Sequence, residues 1–439
     1  MLPILHQSYW RDEAFSVLLS LKPIRELIPL LVKDVHPPLY YIILHYWMQL
    51  FGDAEYITRS LSLFFHFFLA LFSFFILKHL IKNWKISLIG SLAVLLNPFL
   101  LEHAFEATSY NLFALIVVVA TLFYLKRKYI ISSFFLALGI MTHNFGVLFL
   151  ASFIIHWIYE NRKSLKSKMK QFILFFSLPI IVFIGWCGVL WNQWTRLAGG
   201  YWLEPKTSTA FIDTFRVFFQ GGLDYSSKAM LYNLTLSLFI LALSYWLIRV
   251  SKGKKVITKN SSLFLFLSAI PLLIVYVISS FWIPIYHERY LIPILPIIII
   301  WMVYSLSRLS KVQKSFSYLT LSLSVAYLLF AVQGSEEILR KTTKPSINWG
   351  VSQILDKAKH GDIIIPETNL NFLETKYYAQ KSDKDVPVYA YAPSGTIVFY
   401  LGEILFEENE IIKEYPKDVI IWTLTSEGGH YKGITKKVD

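Results

Sequence analysis

The chain has 439 residues, 55% of them apolar and only 16% charged, with a mean hydropathy of +0.50; an ordinary globular chain carries roughly 25% charged residues, so this one has too few to cover a soluble surface. Residues 1–333 hold 29 Lys and Arg against 13 Asp and Glu, whereas residues 334–439 hold 13 against 16. Basic residues in short clusters between apolar runs mark a membrane protein and exclude a nucleic-acid partner, and the single cysteine, Cys187, excludes an intrachain disulfide.

In chain order, residues 1–56 form the first hydrophilic stretch. Residues 1–8 hold neither a signal peptide nor a helix able to carry it across a bilayer, so a preceding transmembrane helix, outside this sequence, is expected. Pro37-Pro38 introduces the apolar run Leu39–Phe51, which is too short to span and reads as a helix lying in the interface. Ten apolar runs follow as candidate spans: 57–81, 86–105, 110–126, 129–142, 145–159, 171–191, 231–250, 262–283, 290–307 and 316–333. About 30 Å of hydrocarbon needs roughly 17–25 helical residues. The runs 129–142 and 145–159 are short and suggest a tight pair around His143 and Asn144.

Nineteen basic residues fall in five alternate connections: Lys78, Lys82 and Lys85; Lys126 to Lys128; Arg162, Lys163, Lys166, Lys168 and Lys170; Arg249, Lys252, Lys254, Lys255 and Lys259; Arg308, Lys311 and Lys314. Only Glu160 among the acids of the membrane part shares that side. The five loops are therefore expected to be cytoplasmic, leaving residues 1–56, about 192–228 and everything after Val332 outside. The domain division expected is a multi-span membrane domain, 1–333, and a soluble extracytoplasmic α/β domain, 334–439. In the latter, helices at 349–359 and 371–380 alternate with strands at 363–366, 386–391 and 419–425, which favours a small, largely parallel sheet.

The external loop carries Tyr9-Trp10-Arg11-Asp12-Glu13-Ala14-Phe15-Ser16. Two adjacent carboxylates beside the membrane could take a proton from an incoming hydroxyl or amine; equally, they suit the first turn of a helix. His36, before Pro37-Pro38, could bind a phosphate or steady a catalytic carboxylate, or cap the bend. Arg59, where a span leaves the outer face, and Arg289, in Tyr-His-Glu-Arg-Tyr before another span, present planar forks that suit a phosphate, with snorkelling to head groups as the alternative. Glu102 and Glu106, four apart, would share one helix face and could orient an acceptor or hold a divalent metal, although one nearby His is a thin ligand set. No other cofactor is called for. His143-Asn144 reads first as a polar hairpin turn, with a supporting role at the site as the alternative.

Taken together, the external acidic motif, His-Pro-Pro-Leu-Tyr-Tyr, Gly-Asp-x-Glu-x-x-x-Arg-Ser-Leu-Ser, and Asn-Pro-Phe before Glu-x-x-x-Tyr resemble the GT-C membrane glycosyltransferases. The similarity is to the lineage of the protein O-mannosyltransferases and lipid A aminoarabinose transferases (glycosyltransferase family 39-like), over most of residues 9–306 and most strongly over 9–64. It implies an α-helical polytopic membrane fold and transfer of a sugar from a polyprenyl- or dolichyl-phosphate donor at the external face. It also implies Asp12 as the catalytic acidic residue with Glu13 as its neighbour, Arg59 at the donor phosphate, and Arg289 with Tyr290 and Pro293 as a late-span arginine motif. The chain departs from the pattern at Glu106-Ala107-Thr108-Ser109-Tyr110, where the family's arginine is missing. The expected partners are a lipid-linked sugar, membrane lipids and an envelope acceptor. The competing classes are a transporter or lipid-linked-glycan flippase, against which the outer-edge charges and unrepeated halves count, and a non-catalytic envelope assembly protein.

Overall fold

Each of the ten apolar runs is helical in the computed structural model, which describes residues 2–198, 202–204, 209–221, 223, 225–252, 259–310, 314–340 and 344–434. Lys254, Lys255, Lys311 and parts of the 192–228 loop lie outside the described residues. Among the described residues, five helices are long and apolar enough to cross a membrane: Glu55–Ile81, Lys166–Leu197, Ala229–Arg249, Asn260–Phe281 and Ser315–Arg340. Three more apolar helices, Tyr110–Leu125, Tyr129–Thr142 and Ile294–Leu309, are shorter. The chain is a multi-pass membrane protein.

The expected span 86–105 is not one straight helix. Trp84–Leu95 and Pro98–Ala104 meet at a 59° bend. Pro98 cannot donate to the preceding turn and holds Asn97 extended, at φ −65°, ψ 126°. The Asn97 side chain then caps the new helix by accepting from the Leu100 N–H at 3.0 Å, and its amide donates to the Phe218 carbonyl at 3.0 Å.

The chain folds as two compact units. One comprises Ser62–Phe105 and Ser109–Leu339. Its Tyr110–Leu125 helix is buried nearly all round, and buried polar side chains tie helices together. The Ser132 hydroxyl donates to Ala120 O at 2.8 Å, and the His156 ring bridges Tyr124 OH and Ser262 Oγ at 2.8 and 3.0 Å. The turn at His143 is as tight as the sequence suggests: a side chain on Gly146 would place its Cβ 2.5 Å from the Gly139 carbonyl, so only glycine lets the two helices meet there.

The other unit comprises Met1–Leu61, Glu106–Thr108 and Arg340–Asp439. Its N-terminal part is a run of short helices, Arg11–Leu21, Ile24–Lys33 and Leu39–Phe51, the last beginning after Pro37-Pro38. In its C-terminal part, Ile363–Pro366 pairs in parallel with Ile420–Leu424, and that strand pairs antiparallel with His430–Ile434. The expected strand 386–391 shrinks to Ala390–Tyr391, paired with Ile411–Ile412, plus a single bridge from Val388 to Ile364. Gly402, at φ 79°, lies so close to Phe15 that a Cβ would come within 2.7 Å of its ring. That close approach seats the C-terminal segment on the Arg11–Leu21 helix.

Candidate active site

The acidic motif opens a helix. Trp10 is extended and Arg11–Leu21 follows, so Asp12 and Glu13 occupy a first turn, where the peptide dipoles favour carboxylates. Consecutive helical residues point about 100° apart, and the two acids separate accordingly. Glu13 is wholly buried, whereas the Asp12 side chain remains 26% exposed with Arg11 Nε 3.2 Å away.

Glu13 collects donors from four parts of the chain. Its Oε1 accepts from Arg59 Nε and from the Ala107 N–H, both at 2.9 Å. Its Oε2 accepts from Arg59 Nη2 at 2.8 Å, Lys344 Nζ at 2.7 Å and the Trp10 N–H at 3.5 Å. Burial alone would raise this carboxyl, but Lys344 and Arg59 outweigh it and hold the pKa near 2.

Arg59 is itself fully buried. Besides the two-pronged contact with Glu13, its Nη1 donates to the carbonyls of Ile4, Leu5 and Gln7 at 3.2, 3.0 and 2.8 Å, and its Nη2 to Ser8 O at 3.1 Å. The expectation that Arg59 holds a donor phosphate meets a physical obstacle here: its N–H groups already face protein acceptors. The fork binds a carboxylate and pins residues 4–8.

A second cluster joins the helix Phe372–Gln380 to the Gly-Asp-x-Glu motif. Asp53 O accepts from Tyr9 OH at 2.7 Å and Tyr377 OH at 2.9 Å, while Lys381 Nζ lies 2.6 Å from Asp53 Oδ1. Tyr378 OH donates to Glu55 Oε1 and accepts from the Tyr9 N–H, both at 2.7 Å. Ser8 and Asn348 exchange two further hydrogen bonds, at 2.7 and 3.0 Å. Sequence reasoning missed Lys344, Tyr377 and Tyr378. The adjacent tyrosines and the acids at 53 and 55 were visible as a polar pattern, but nothing local marks Lys344 as the partner of a residue 331 positions away.

In the membrane unit, Arg289 is 8% exposed, and its guanidinium carbon lies 5.5 Å from the ring of Tyr290 and 5.7 Å from those of Tyr110 and Trp202. Three π faces around one cation make a desolvated, strongly attractive seat. His143 belongs to the same aromatic group: it stacks on Phe113 at 5.0 Å and lies 5.5 Å from Tyr290. The structure therefore joins Arg289 and His143, which the sequence presents as separate features.

The remaining candidates are dispersed. His36 Nδ1 meets Asp34 Oδ2 at 2.5 Å, and its ring packs against Phe15 and Tyr41. The helical face expected for Glu102 and Glu106 does not form, because the helix ends at Ala104 and Glu106 lies in the following bend. That bend still contributes, through the Ala107 N–H on Glu13. Among the described residues, no three His, Cys, Asp or Glu side chains are grouped to hold a metal.

The chain shares its fold with two solved proteins, both GT-C glycosyltransferases. ArnT from Cupriavidus metallidurans, solved without ligand and with undecaprenyl phosphate bound, superposes with a TM-score of 0.64 at 10% identity, covering 96% of this chain and 90% of ArnT. The Archaeoglobus fulgidus oligosaccharyltransferase, solved with a tethered acceptor peptide, gives a TM-score of 0.50 at 9% identity, covering 87% of this chain and 60% of that one. No protein-family model matches the sequence, and no curated protein matches it by sequence.

Proposed function

We propose that this protein is a membrane glycosyltransferase that moves a sugar from a polyprenyl- or dolichyl-phosphate carrier to an envelope acceptor at the outer face. The observation that carries the reading is the pairing of a partly exposed Asp12 with a buried Glu13 fixed by Arg59 and Lys344. A carboxylate at the partly exposed edge of the motif is thereby mounted on one too well paired to move. The fold adds weight: ArnT, which shares it, binds undecaprenyl phosphate.

In this reaction an acceptor hydroxyl or amine attacks C1 of the sugar while Asp12 takes its proton. The C1–O bond to the phosphate breaks, and its electron pair leaves with the lipid phosphate. Arg289 is the proposed phosphate ligand, since its cation offsets the charge that develops on the leaving group. Arg59 and Lys344 are assigned to Glu13, and Glu13 to the posture of the Arg11–Leu21 helix. Radiolabelled polyprenyl-phosphate sugars supplied to membranes holding the protein should label a lipid, protein or glycan product. No labelled product across a broad donor panel would overturn the reading.

Arg289→Ala should lower transfer by about 10²-fold or more, the scale of losing one preorganised donor to a developing charge. Arg216→Ala, in the exposed part of the Ala210–Gln220 helix, serves as the control. Arg289→Lys should restore little, because an ammonium lacks the planar fork and stacks poorly on aromatic faces. Equal rates in all three variants would return Arg289 to a structural role.

Orientation follows from the basic loops. In a Cys187→Ser background, a cysteine at Ser167 should be shielded from an impermeant thiol reagent in intact cells, and one at Glu408 should react; both positions are exposed. The reverse pattern would move every site above to the other side of the membrane.

A further inference from the structure

One acidic group in the C-terminal segment has no task in the reaction above. Glu374 is 5% exposed, and its Oε2 has no hydrogen-bond partner. It lies on Phe372–Gln380, the helix packed against Arg11–Leu21. Positions 374, 377, 378 and 381 share one helical face. The last three of these are fastened to Asp53, Glu55 and Tyr9, so Glu374 is carried to the acidic motif by the same face.

The charges that act on it are Arg11, Asp12 and Glu13. The other packed elements add little: Ile363–Pro366 has no ionisable side chain, and Asp356 and Lys357 of Ile347–Lys357 are exposed. On its own helix, Lys376 is paired with Glu410 at 2.6 Å. Around the motif, then, Glu13 takes both Arg59 and Lys344, and Asp12 takes Arg11. Among the described residues, no cation lies within hydrogen-bond reach of Glu374 Oε2.

We propose that Glu374 is a positioning residue for Asp12, a carboxylic acid that the C-terminal segment delivers to the start of the Arg11–Leu21 helix. The proposal rests on the reading of Asp12 as the base. Burial pushes the Glu374 carboxyl up to about 8, with Asp12 and Glu13 adding to the rise and Arg11 opposing it. Below that pH the group is neutral, and Arg11 stays with Asp12. Above it, a new negative charge competes for Arg11 and disturbs the base.

Glu374→Gln fixes the neutral form with the same shape. Wild-type protein should lose transfer activity as pH rises through about 8, whereas Glu374→Gln should hold its rate there. An alkaline loss of the same size in both, or none in either, overturns the proposal. A second readout needs no donor. Infrared spectra of the full-length protein in lipid nanodiscs at neutral pH should show a protonated-carboxyl band that Glu374→Gln removes. Asp12→Asn should lower the pH at which that band disappears, because a neighbouring negative charge has gone and Arg11 is released. A missing band, or one whose titration ignores Asp12→Asn, overturns the proposal even if every sugar donor fails. Failure of all donors with the band and its shift intact would instead strike the proposed function.

Discussion

Asp12→Asn is expected to cut transfer by about 10²–10⁴-fold, the usual contribution of a positioned general base. The substitution keeps the size of the side chain and removes its negative charge and its capacity to take a proton. Stability should change little, because Asp12 is partly exposed and its ion pair with Arg11 is of the surface kind worth about 0–1 kcal/mol. Binding of the lipid phosphate should survive, since that contact is assigned to Arg289. The measurement is initial rate at saturating donor alongside donor affinity. Near-normal turnover with intact binding would remove Asp12 from the chemistry, and the half-buried Glu106 and Glu102 would be the next acids to test. Loss of folded protein would mean instead that Asp12 serves the helix terminus.

The second large effect is on stability. Arg59→Ala should destabilise the protein by about 3–5 kcal/mol, the cost of leaving one half of a buried ion pair exposed to a low-dielectric interior. Here the loss also frees the carbonyls of residues 4, 5, 7 and 8 from their donor. Glu13→Gln should fall in the same range, since it strands Arg59 and Lys344 together. Replacing both residues, as Glu13→Gln with Arg59→Ala, should cost less than the sum of the two changes, which a double-mutant cycle on unfolding in detergent would read. Simple additivity would sink the claim that these residues act as one unit. The pH dependence has a definite sign. Glu13 titrates near 2 when folded and near 4.5 otherwise, so the unfolded chain binds the extra proton between those values. Stability from this group is therefore complete above about pH 4.5 and is lost as pH falls toward 2. Glu13→Gln should flatten that acid limb.

Much of the fold was legible because membranes impose simple rules. A helix must run apolar for most of its length, so the ten runs that became helices stood out in the hydropathy of the chain. Turn chemistry was equally local: Pro37-Pro38 starts the Leu39–Phe51 helix, and Asn97-Pro98 breaks the helix that precedes it. The bend within the run 86–105 went unseen because an apolar count is blind to one proline's missing N–H.

The sequence by itself determined a multi-pass membrane fold, the position of the acidic motif and the arginines worth testing, since each depends on residue type within a few neighbours. What only the tertiary structure decided was partnership. Charge marked residues 334–439 as different from the rest, but not that Lys344, Glu374, Tyr377 and Tyr378 fold against residues 9–13 and 53–55. Nor did it separate Asp12 from Glu13, two neighbours of identical charge. One step of about 100° around a helix sends Glu13 into a cage of donors and leaves Asp12 at the edge, and on that difference in burial rests the proposal of one as a fixture and the other as the base. Arg59 changed its assignment for the same reason. A guanidinium fork suits a phosphate and a carboxylate alike, and only its surroundings, here Glu13 and four backbone carbonyls, decide which it meets.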